Sequence, residues 1–425
     1  MKRLLVAVGP EPAGWLEADA EGRLSLRYRR DWIGRPDAEA LSHSLPLTHT
    51  SYPEGAARTY FEGLLPEGPV REHLAERLRI PAEDTLALLA AIGGDCAGAV
   101  RLFPPDRWPP GTAEPLWLAE AELAASLRGL PQHPLGVDPA RDVRVCLAGA
   151  QDKLPVVIAA HGRIGLARGG QATTHVLKVQ VDGFEDTPVN EAFCMALARR
   201  LGLPTAEAAL HCAEDVTYVA VRRYDRRLER GRVVRVHQED VCQALALPPT
   251  RKYESQGGPT LVDCVGLIRA TSARPEADLE TFIRAAALDY LIADNDAHGK
   301  NVSVLRGPGR GVRLAPLYDL GCTSVYAGLP SSMAMRIGAE EGAEQIRSED
   351  WRRLAEGAAL PPAALSRWLR PLVDRAPAEA RAVAAGLEAR GWRSRIPGRV
   401  CAIVAQRARR LGAALTDLVA PSSVG

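Results

Sequence analysis

Three polar residues around position 300 have the types and the order needed to move a phosphoryl group. Asp296 lies in the polar loop 294–301, Asn301 ends that loop, and Asp319 follows a predicted hairpin. A carboxylate can accept the proton of an attacking hydroxyl, while an amide and a second carboxylate offer the hard oxygen ligands that magnesium prefers. The pattern therefore indicates phosphoryl transfer from a metal-bound triphosphate to a hydroxyl.

Protein kinases place an Asp, an Asn and a second Asp in this order around a short hairpin. The first Asp orients the attacking hydroxyl, and the other two residues hold magnesium. Each residue alone could be an ordinary turn or capping residue, which is the commoner role of Asp and Asn in such loops. His298 is expected to be a hydrogen-bonded structural imidazole rather than a base, because Asp296 suits the role of proton acceptor better. Order and spacing together favour a site.

The few lysines of the chain support this interpretation. Only Lys2, Lys153, Lys178, Lys252 and Lys300 are lysines among 53 Lys and Arg residues. A lysine that persists where arginine supplies nearly all positive charge is expected at a place that needs a compact ammonium, such as a phosphate site. Three of the five, at positions 153, 178 and 300, fall in segments that could bind nucleotide phosphates.

Further candidates lie upstream of the loop. A turn of small residues precedes Lys153 and could bring backbone N–H groups close to phosphates; it comprises Ala148, Gly149, Ala150, Gln151 and Asp152. Lys178 ends a strand-like run, and Glu191 in the next helix could pair with it or could be an ordinary first-turn acid. Arg222, Arg223 and Tyr224 follow another strand, where a kinase hinge would meet adenine, although a plain basic strand end fits equally well.

Composition restricts the class of protein. The chain has 425 residues, 46% hydrophobic and 25% charged, and a net charge of +1. These values predict a globular protein of two or three domains. A net charge this small gives the molecule as a whole no electrostatic attraction to nucleic acid or to an anionic membrane. The eight cysteines are scattered without a C-x-x-C pair, which argues against a zinc site or a disulfide framework. No apolar run reaches the roughly 18 residues of a membrane span. We therefore expect a cytoplasmic protein.

The hydrophobic pattern predicts an α+β chain with a mixed α/β N-terminal lobe and a mostly helical C-terminal lobe. Strands are predicted at 143–147, 154–158, 176–181 and 216–221, and helices at 69–79 and 82–92. A third helix is predicted to have Thr187 as N-cap and Pro188 as first residue and to end at Gly202. A later helix is predicted to end at Ala293, and a hairpin over 302–314 to have its turn at 306–311. One face of that later helix is predicted to carry Leu279, Phe282, Ile283, Ala286 and Tyr290. We assign residues 1–105 to an extra N-terminal subdomain, 106–140 to a Pro-rich linker and 141–425 to the catalytic core. The N-lobe part of this core is expected to reach about residue 235, with the helical lobe spanning 236–425.

Seven segments resemble, in order, motifs of the HipA family of toxin–antitoxin serine/threonine kinases. They are Val145–Lys153, Thr174–Lys178, Val221–Arg226, His237–Ala244, Lys252–Pro259, Asp296–Asn301 and Pro316–Asp319. Two more, Tyr60–Gly68 and Gly94–Val100, resemble the N-terminal subdomain of that family. The resemblance runs from the first residues to about 390 and implies a bilobal, protein-kinase-like fold.

The resemblance also implies a function and its residues. It implies a kinase that uses ATP and Mg²⁺ to phosphorylate a protein, for some members an aminoacyl-tRNA synthetase. It implies a helix-turn-helix antitoxin of the HipB type as partner, operator DNA bound through that antitoxin, and no membrane. Carried over to this chain, the phosphate loop is 148–153, the ATP lysine Lys178 and the adenine segment 222–224. The proton acceptor is Asp296. Nucleotide and metal contacts fall on His298, Gly299, Lys300, Asn301, Tyr318 and Asp319, with Asn301 and Asp319 as metal ligands.

Two other classes of function stay open at this stage. The chain could be a catalytically idle corepressor that acts with its DNA-binding partner, or a kinase for a lipid or small molecule. Asp296, Asn301, Asp319 and Lys178 argue against the idle protein, because a chain without phosphotransfer has no chemical reason to combine these four residue types. Only a substrate screen separates a protein kinase from a lipid kinase. The role of Lys252 stays open as well, with a structural loop as the simpler interpretation.

Cys146 departs from the family pattern and generates the first prediction. Family members commonly carry a serine immediately before the phosphate loop and silence themselves by phosphorylating it. A thiol is not a normal acceptor for this transfer, so we expect this control to be missing or to use another hydroxyl. Mapping phosphosites after incubation with ATP tests the idea. Phosphate on Cys146 would contradict it.

Overall fold

The computed structural model describes residues 2–111, 113–307 and 311–419. In chain order the strands are β1 (Lys2–Val8), β2 (Glu11–Ala18), β3 (Leu24–Tyr28), β4 (Ser51–Tyr52), β5 (Val100–Phe103), β6 (Leu116–Trp117), β7 (Lys153–Ile158), β8 (Ile164–Leu166), β9 (His175–Val179), β10 (Ala208–Ala213), β11 (Val216–Arg222), β12 (Arg226–Glu229), β13 (Arg232–Arg235), β14 (His237–Asp240), β15 (Ser303–Gly307), β16 (Gly311–Leu314), β17 (Ser332–Ile337) and β18 (Glu340–Gly342).

The helices are numbered in chain order as well. They are α1 (Arg30–Ile33), α2 (Glu54–Glu62), α3 (Gly68–Leu78), α4 (Thr85–Ile92), α5 (Glu120–Arg128), α6 (Thr187–Arg200), α7 (Val241–Ala244), α8 (Leu261–Thr271), α9 (Pro275–Ile292), α10 (Ser348–Gly357), α11 (Pro362–Ala389) and α12 (Ile396–Val419). The chain forms two units. The first comprises Met1–Val181, Ala209–Thr250 and Ser303–Val312, and the second Asp182–Ala208, Arg251–Val302 and Arg313–Gly425. The first is rich in strands and the second in helices, which confirms the predicted α+β class.

Two sheets organise the first unit. The N-terminal sheet has the strand order β4-β3-β2-β1-β5, with β1 antiparallel to both neighbours. The second sheet has the order β10-β11-β9-β7-β8-β6. Its core is built from alternate residues of β7 and from Leu177 of β9, since Leu154, Val156 and Leu177 have no exposed side-chain surface. The strands predicted around 154, 176 and 216 are thus confirmed as β7, β9 and β11.

Two segments differ from their predicted structure. Residues 143–147 form no sheet strand, because their backbone groups bond to loops: Cys146 N–H donates to Asp95 O at 2.9 Å. Residues 106–140, predicted to be a linker, contain β6 and α5, and Leu123 and Leu127 of α5 are buried in the core of the second sheet. The prolines of 104–110 concealed this short amphipathic helix.

A buried carboxylate connects the N-terminal sheet with the strands around residue 225. Asp95 has no exposed surface and accepts hydrogen bonds from Arg235 at 2.7 Å, Arg226 at 3.0 Å and Arg223 at 3.3 Å. Thr173 adds its backbone N–H and its hydroxyl, at 3.0 and 2.8 Å. Burial alone would raise the pKa of Asp95, but the three guanidinium groups overcome this and hold that pKa well below its usual range.

The second unit is built on helices with buried apolar faces. The face of α9 predicted from Leu279, Phe282, Ile283, Ala286 and Tyr290 is confirmed, since all five side chains are buried. Helix α6 was predicted to have Thr187 as its N-cap and Pro188 as its first residue, but it begins one residue earlier, at Thr187, with Asp186 as N-cap. Helices α11 and α12 pack against each other, and α6 and α9 pack against both. These contacts give the loop that follows α9 a rigid support.

The predicted hairpin after residue 302 is present as β15 and β16, with β15 also paired to β14. The predicted turn residues Pro308, Gly309 and Arg310 lie outside the described residues. Within the part of the chain that the structure describes, no helix is both long enough and apolar enough to span a membrane.

The Asp95 cluster predicts a pH-dependent loss of stability in Asp95→Asn. Removing the charge leaves three guanidinium groups facing a neutral amide, so we expect the free energy of unfolding at pH 7 to fall by about 3–5 kcal/mol. Because the folded-state pKa of Asp95 is lowered, the stabilisation is present above about pH 4 and declines as the pH falls further. Urea unfolding at pH 7 and pH 3 measures both effects. The difference in free energy of unfolding between Asp95→Asn and the unaltered chain should be smaller at pH 3 than at pH 7.

The control for this experiment is Asp19→Asn, which alters an exposed pair with Arg23. This variant should change the unfolding curve little at either pH. An Asp95→Asn variant as stable as the control would contradict the prediction.

Candidate active site

The loop that carries Asp296 begins where α9 ends. Ala293 adopts a left-handed conformation (φ 58°), and Asp294 N–H donates to Asp289 O at 2.9 Å. This geometry ends the helix and turns the chain out of its axis. Residues 299–301 then form one short 3₁₀ turn that leads towards β15. The sequence placed both the end of the helix and the polar loop correctly.

Asp294 joins this loop to the segment that follows Asp319. Its Oδ1 accepts a hydrogen bond from Asp296 N–H at 3.1 Å, and its Oδ2 accepts one from Gly321 N–H at 3.0 Å. Asp294 is only 3% exposed. Two backbone donors on one buried carboxyl therefore hold residues 296 and 321 at a defined separation. Asp294 was not among the site residues predicted from the sequence, although its position at the start of a polar loop was a signal.

Asn301 and Asp319 are brought together by their neighbours. Asn301 Nδ2 donates to Asp296 O at 3.2 Å, and Tyr318 OH donates to Lys300 O at 2.7 Å. Asp319 has a φ of 59°, an uncommon conformation for an aspartate that is enriched at functional sites. The three residues predicted to act together thus lie in segments joined directly by hydrogen bonds.

The donor set suits magnesium. Within residues 2–111, 113–307 and 311–419, no cluster of three or more His, Cys, Asp or Glu side chains could hold a metal ion. Asn301 and Asp319 would instead offer one amide and one carboxylate. The amide nitrogen of Asn301 is occupied by Asp296 O, which directs the amide oxygen away from that backbone group. Magnesium usually takes few protein ligands and completes its shell with phosphate oxygens and water, so the residues fit this ion.

Tyr253 contacts the predicted proton acceptor and was not expected from the sequence. Its hydroxyl donates to Asp296 Oδ1 at 2.6 Å. The rings of Tyr253 and His298 meet edge to face, with centroids 5.2 Å apart. His298 is 6% exposed, in agreement with a structural imidazole. The KYESQGGP motif was visible in the sequence, but a contact across 43 residues has no local signal.

In the first unit, the predicted phosphate loop 148–153 leads into β7. Gly149 has a φ of 107°, a backbone conformation that favours glycine, and a Cβ atom there would lie 2.5 Å from the flexible end of Lys153. Lys153 Nζ donates to Ala148 O. The loop also contacts the N-terminal subdomain, because Gly149 forms a bridge with Pro66 and Gly149 O accepts from Glu67 N–H at 3.2 Å. Ala150, Gln151 and Asp152 complete the loop before β7.

Lys153 and Lys178 are cross-strand partners in the β7–β9 ladder. Directly opposed residues of antiparallel strands point to the same face, and two like charges so placed are unfavourable. Both side chains are largely buried, at 9% and 8% exposed. Such a pair is well suited to an anion with several oxygens. Lys178 belongs to the first unit and Glu191 to the second, so their pairing stays a prediction.

The predicted adenine segment 222–224 has mixed surroundings. The guanidinium of Arg223 is buried and bonded to Asp225 at 2.7 Å, as well as to Asp95, so its charge is used inside the protein. Tyr224 OH donates to Gln238 Oε1, and Arg222 is exposed. A nucleotide contact by this segment stays a prediction, and it would not use the guanidinium of Arg223.

Cys146 lies in the interior of the first unit. Its side chain is fully buried, and Sγ donates to Leu64 O at 3.1 Å. Burial raises the pKa of the thiol well above its usual range, which keeps it protonated and a poor nucleophile. An inert thiol therefore stands where the family pattern has a hydroxyl.

Comparisons with known proteins agree over most of the chain. Residues 4–103 match the model of the HipA N-terminal domain, and residues 145–380 match that of the HipA-like C-terminal domain. A candidate kinase, Y4mE, of Sinorhizobium fredii (strain NBRC 101917 / NGR234) is 39% identical over 88% of this chain and 89% of its own. The serine/threonine-protein kinase toxin HipA of Shewanella oneidensis is 29% identical over 82% of this chain and 81% of its own.

A solved structure gives the same result for the fold. A chain of the complex of HipA, HipB and operator DNA from the Shewanella oneidensis MR-1 toxin–antitoxin system superposes with a TM-score of 0.84. The two chains are 25% identical, and the match covers 98% of this chain and 99% of the other. The predicted fold is thereby confirmed.

Asp289, at the end of α9, predicts a pH effect on stability. Burial raises the pKa of its carboxyl to about 7, and burial together with Asp289 raises the pKa of Asp294. A raised carboxyl pKa stabilises the fold below about pH 4, and this stabilisation is lost as the pH rises towards 7, by at most about 1.4 kcal/mol per pH unit. In Asp289→Asn, which cannot ionise, urea unfolding between pH 5 and pH 8 should depend less on pH. Equal slopes for the two chains would contradict this, and the exposed Asp417→Asn serves as control.

Proposed function

Because the chain belongs to the HipA family, we propose that it is an ATP- and Mg²⁺-dependent serine/threonine-protein kinase that acts as the toxin of a toxin–antitoxin module. The observation that carries this proposal is the set of hydrogen bonds joining the segments of Asp296, Asn301 and Asp319. Chance loops have no reason to bring a carboxylate, an amide and a second carboxylate together in this order. The order is that of kinase active sites.

The residues divide the work by their chemistry. Asp296 accepts the proton of the acceptor hydroxyl, and Asn301 and Asp319 hold magnesium, which when bound neutralises charge on the triphosphate. Lys153 and Lys178 bind phosphate oxygens as two opposed ammonium groups. Backbone N–H groups of 148–152 serve the phosphates, and the segment 222–224 contacts the base. His298, Gly299, Lys300 and Tyr318 lie in the segments of Asn301 and Asp319 and add contacts to the nucleotide and its metal ion.

The relatives suggest the partners. One similar structure is a complex of HipA with HipB and operator DNA. We therefore propose a helix-turn-helix antitoxin of the HipB type for this chain, which reaches operator DNA through that antitoxin, in agreement with a net charge of only +1. The proposed substrate is a cytoplasmic protein, and an aminoacyl-tRNA synthetase is the first target to test, since its phosphorylation would arrest growth.

Phosphoproteomics of cells that express this chain tests the proposal. The comparison is with Asp296→Asn, which keeps the size of the side chain but removes the proton acceptor. A protein hydroxyl should be phosphorylated with the unaltered chain and at least about 100-fold less with Asp296→Asn, because general base catalysis is typically worth that much. The exposed Asp374→Asn should behave as the unaltered chain.

The same cells separate the alternatives. A labelled lipid or metabolite without any labelled protein would favour a small-molecule kinase. Equal phosphorylation patterns and equal growth for the unaltered and Asp296→Asn chains, with operator repression intact in both, would favour the idle corepressor and overturn the kinase.

A further inference from the structure

Residues 251–258 of the second unit are bonded to the loop of Asp296 at two points. Tyr253 donates its hydroxyl to Asp296 Oδ1 at 2.6 Å, and Gly299 N–H donates to Lys252 O at 3.1 Å. One bond connects side chains and the other connects backbones. The proposed function gives this segment no task, although its tyrosine contacts the group that does the chemistry.

We propose that Tyr253 is a positioning residue for Asp296. Its hydroxyl holds Oδ1, so that Oδ2 is presented to the acceptor hydroxyl, because an ionised carboxylate can accept hydrogen bonds on both oxygens at once. This inference rests on the proposed function. In the transfer, the hydroxyl oxygen bonds to the γ-phosphorus, its proton goes to Asp296, and the bond to the β–γ bridging oxygen breaks to release ADP. Tyr253 keeps its own proton throughout.

The ring of Tyr253 is held in place on two sides. His298, itself buried, meets it edge to face at an interplanar angle of 87°. Lys252 Nζ lies 5.5 Å from the ring centroid, a cation–π distance. A phenol held in this way has few rotamers to lose when it binds a carboxylate. A freely rotating side chain could not orient Asp296 as well, since positioning depends on a support that is already ordered.

The backbone that presents Tyr253 is a tight, anchored turn. Gly258 N–H donates to Tyr253 O at 2.9 Å, and a Cβ on Gly258 would lie 2.6 Å from both Arg251 O and Tyr253 O. On the other side of Tyr253, the Glu254 carboxylate accepts from Arg336 N–H at 2.7 Å and from its Nε at 2.6 Å. The tyrosine therefore projects from a segment fixed both to β17 and to the loop of Asp296.

The same contact allows an opposite effect on the rate. A hydroxyl 2.6 Å from the proton acceptor could occupy the place of the substrate hydroxyl and block it. The two effects differ in sign, because loss of a positioning group slows phosphotransfer and loss of a blocking group speeds it. The backbone hydrogen bond between Gly299 and Lys252 favours the positioning role. It holds residues 251–258 against the loop of Asp296 independently of the tyrosine hydroxyl.

Tyr253→Phe tests the proposal, because it removes the hydroxyl and keeps the ring beside His298. We expect kcat for the substrate found by phosphoproteomics to fall about tenfold or more, with KM for ATP and the stoichiometry of ATP binding unchanged. In an Asp296→Asn background, the same change should have no further effect on the residual rate. Tyr52→Phe is the matched control, since it loses a hydroxyl that donates to Pro46 O in the N-terminal subdomain.

Two results would overturn the inference while the proposed function stands. These are an unchanged or increased kcat in Tyr253→Phe, and an equal loss of rate in the Asp296→Asn background. A measurement that does not depend on activity tests the hydrogen bond itself. Tyr253→Phe should shift the midpoint of urea unfolding when Asp296 is present, but not when it is made in the Asp296→Ala chain. Equal shifts would contradict the bond. A chain with no phosphotransfer at all would overturn the proposed function and the catalytic role of Tyr253 together, whatever the midpoints show.

Discussion

The first unit depends on the attraction between one buried carboxylate, that of Asp95, and three guanidinium groups. Arg223, Arg226 and Arg235 converge on this buried carboxylate, and without it three guanidinium groups would repel one another in the interior. The carboxylate comes from the N-terminal subdomain and the guanidinium groups from the strands after residue 221. One anion therefore joins two parts of the chain that match two different family models. The GDCAGAV motif supplies the carboxylate, the VRRYDR motif supplies two of the three guanidinium groups, and Arg235 supplies the third.

The second unit uses neutral hydrogen bonds to backbone groups for a comparable purpose. The side chains of Asp294, Asn301 and Tyr318 all bond to the main chain of nearby loop segments. Bonds of this kind fix the path of the backbone around the residues that are predicted to act. The backbone positions in the loop are thereby fixed as firmly as those in a helix or strand, although the loop contains only one short 3₁₀ turn.

The sequence predicted the elements well and the contacts between distant segments poorly. Strands β7, β9 and β11 and the buried face of α9 follow from local hydrophobic period, which is encoded within a few residues. The polar loop after α9 was equally clear. The helix α5 was missed because prolines precede it, and the segment 143–147 was assigned to a strand because its composition says nothing of its bonding to loops. Tyr253 was missed for a similar reason, since its partner lies 43 residues away.

The motif VRRYDR shows that a correctly recognised motif does not by itself tell what each of its side chains contacts. Its place in the order of motifs suggested nucleotide contact, yet the guanidinium of Arg223 is enclosed by Asp95, Asp225 and Thr173. A basic residue in a family motif can serve folding or binding, and the positions of its carboxylate partners distinguish the two. Both carboxylate partners of Arg223, Asp95 and Asp225, lie outside the segment 222–224.

The hydrogen bond between Lys153 Nζ and Ala148 O has a thermodynamic consequence for any anion that binds the loop. An ammonium carries three N–H donors, so a bond to its own turn does not prevent Lys153 from also serving a phosphate oxygen. A side chain that the turn already holds loses little rotational freedom when the anion arrives, which lowers the entropic cost of binding. A substitution that loosens the turn would therefore weaken anion binding without removing a single contact to the anion.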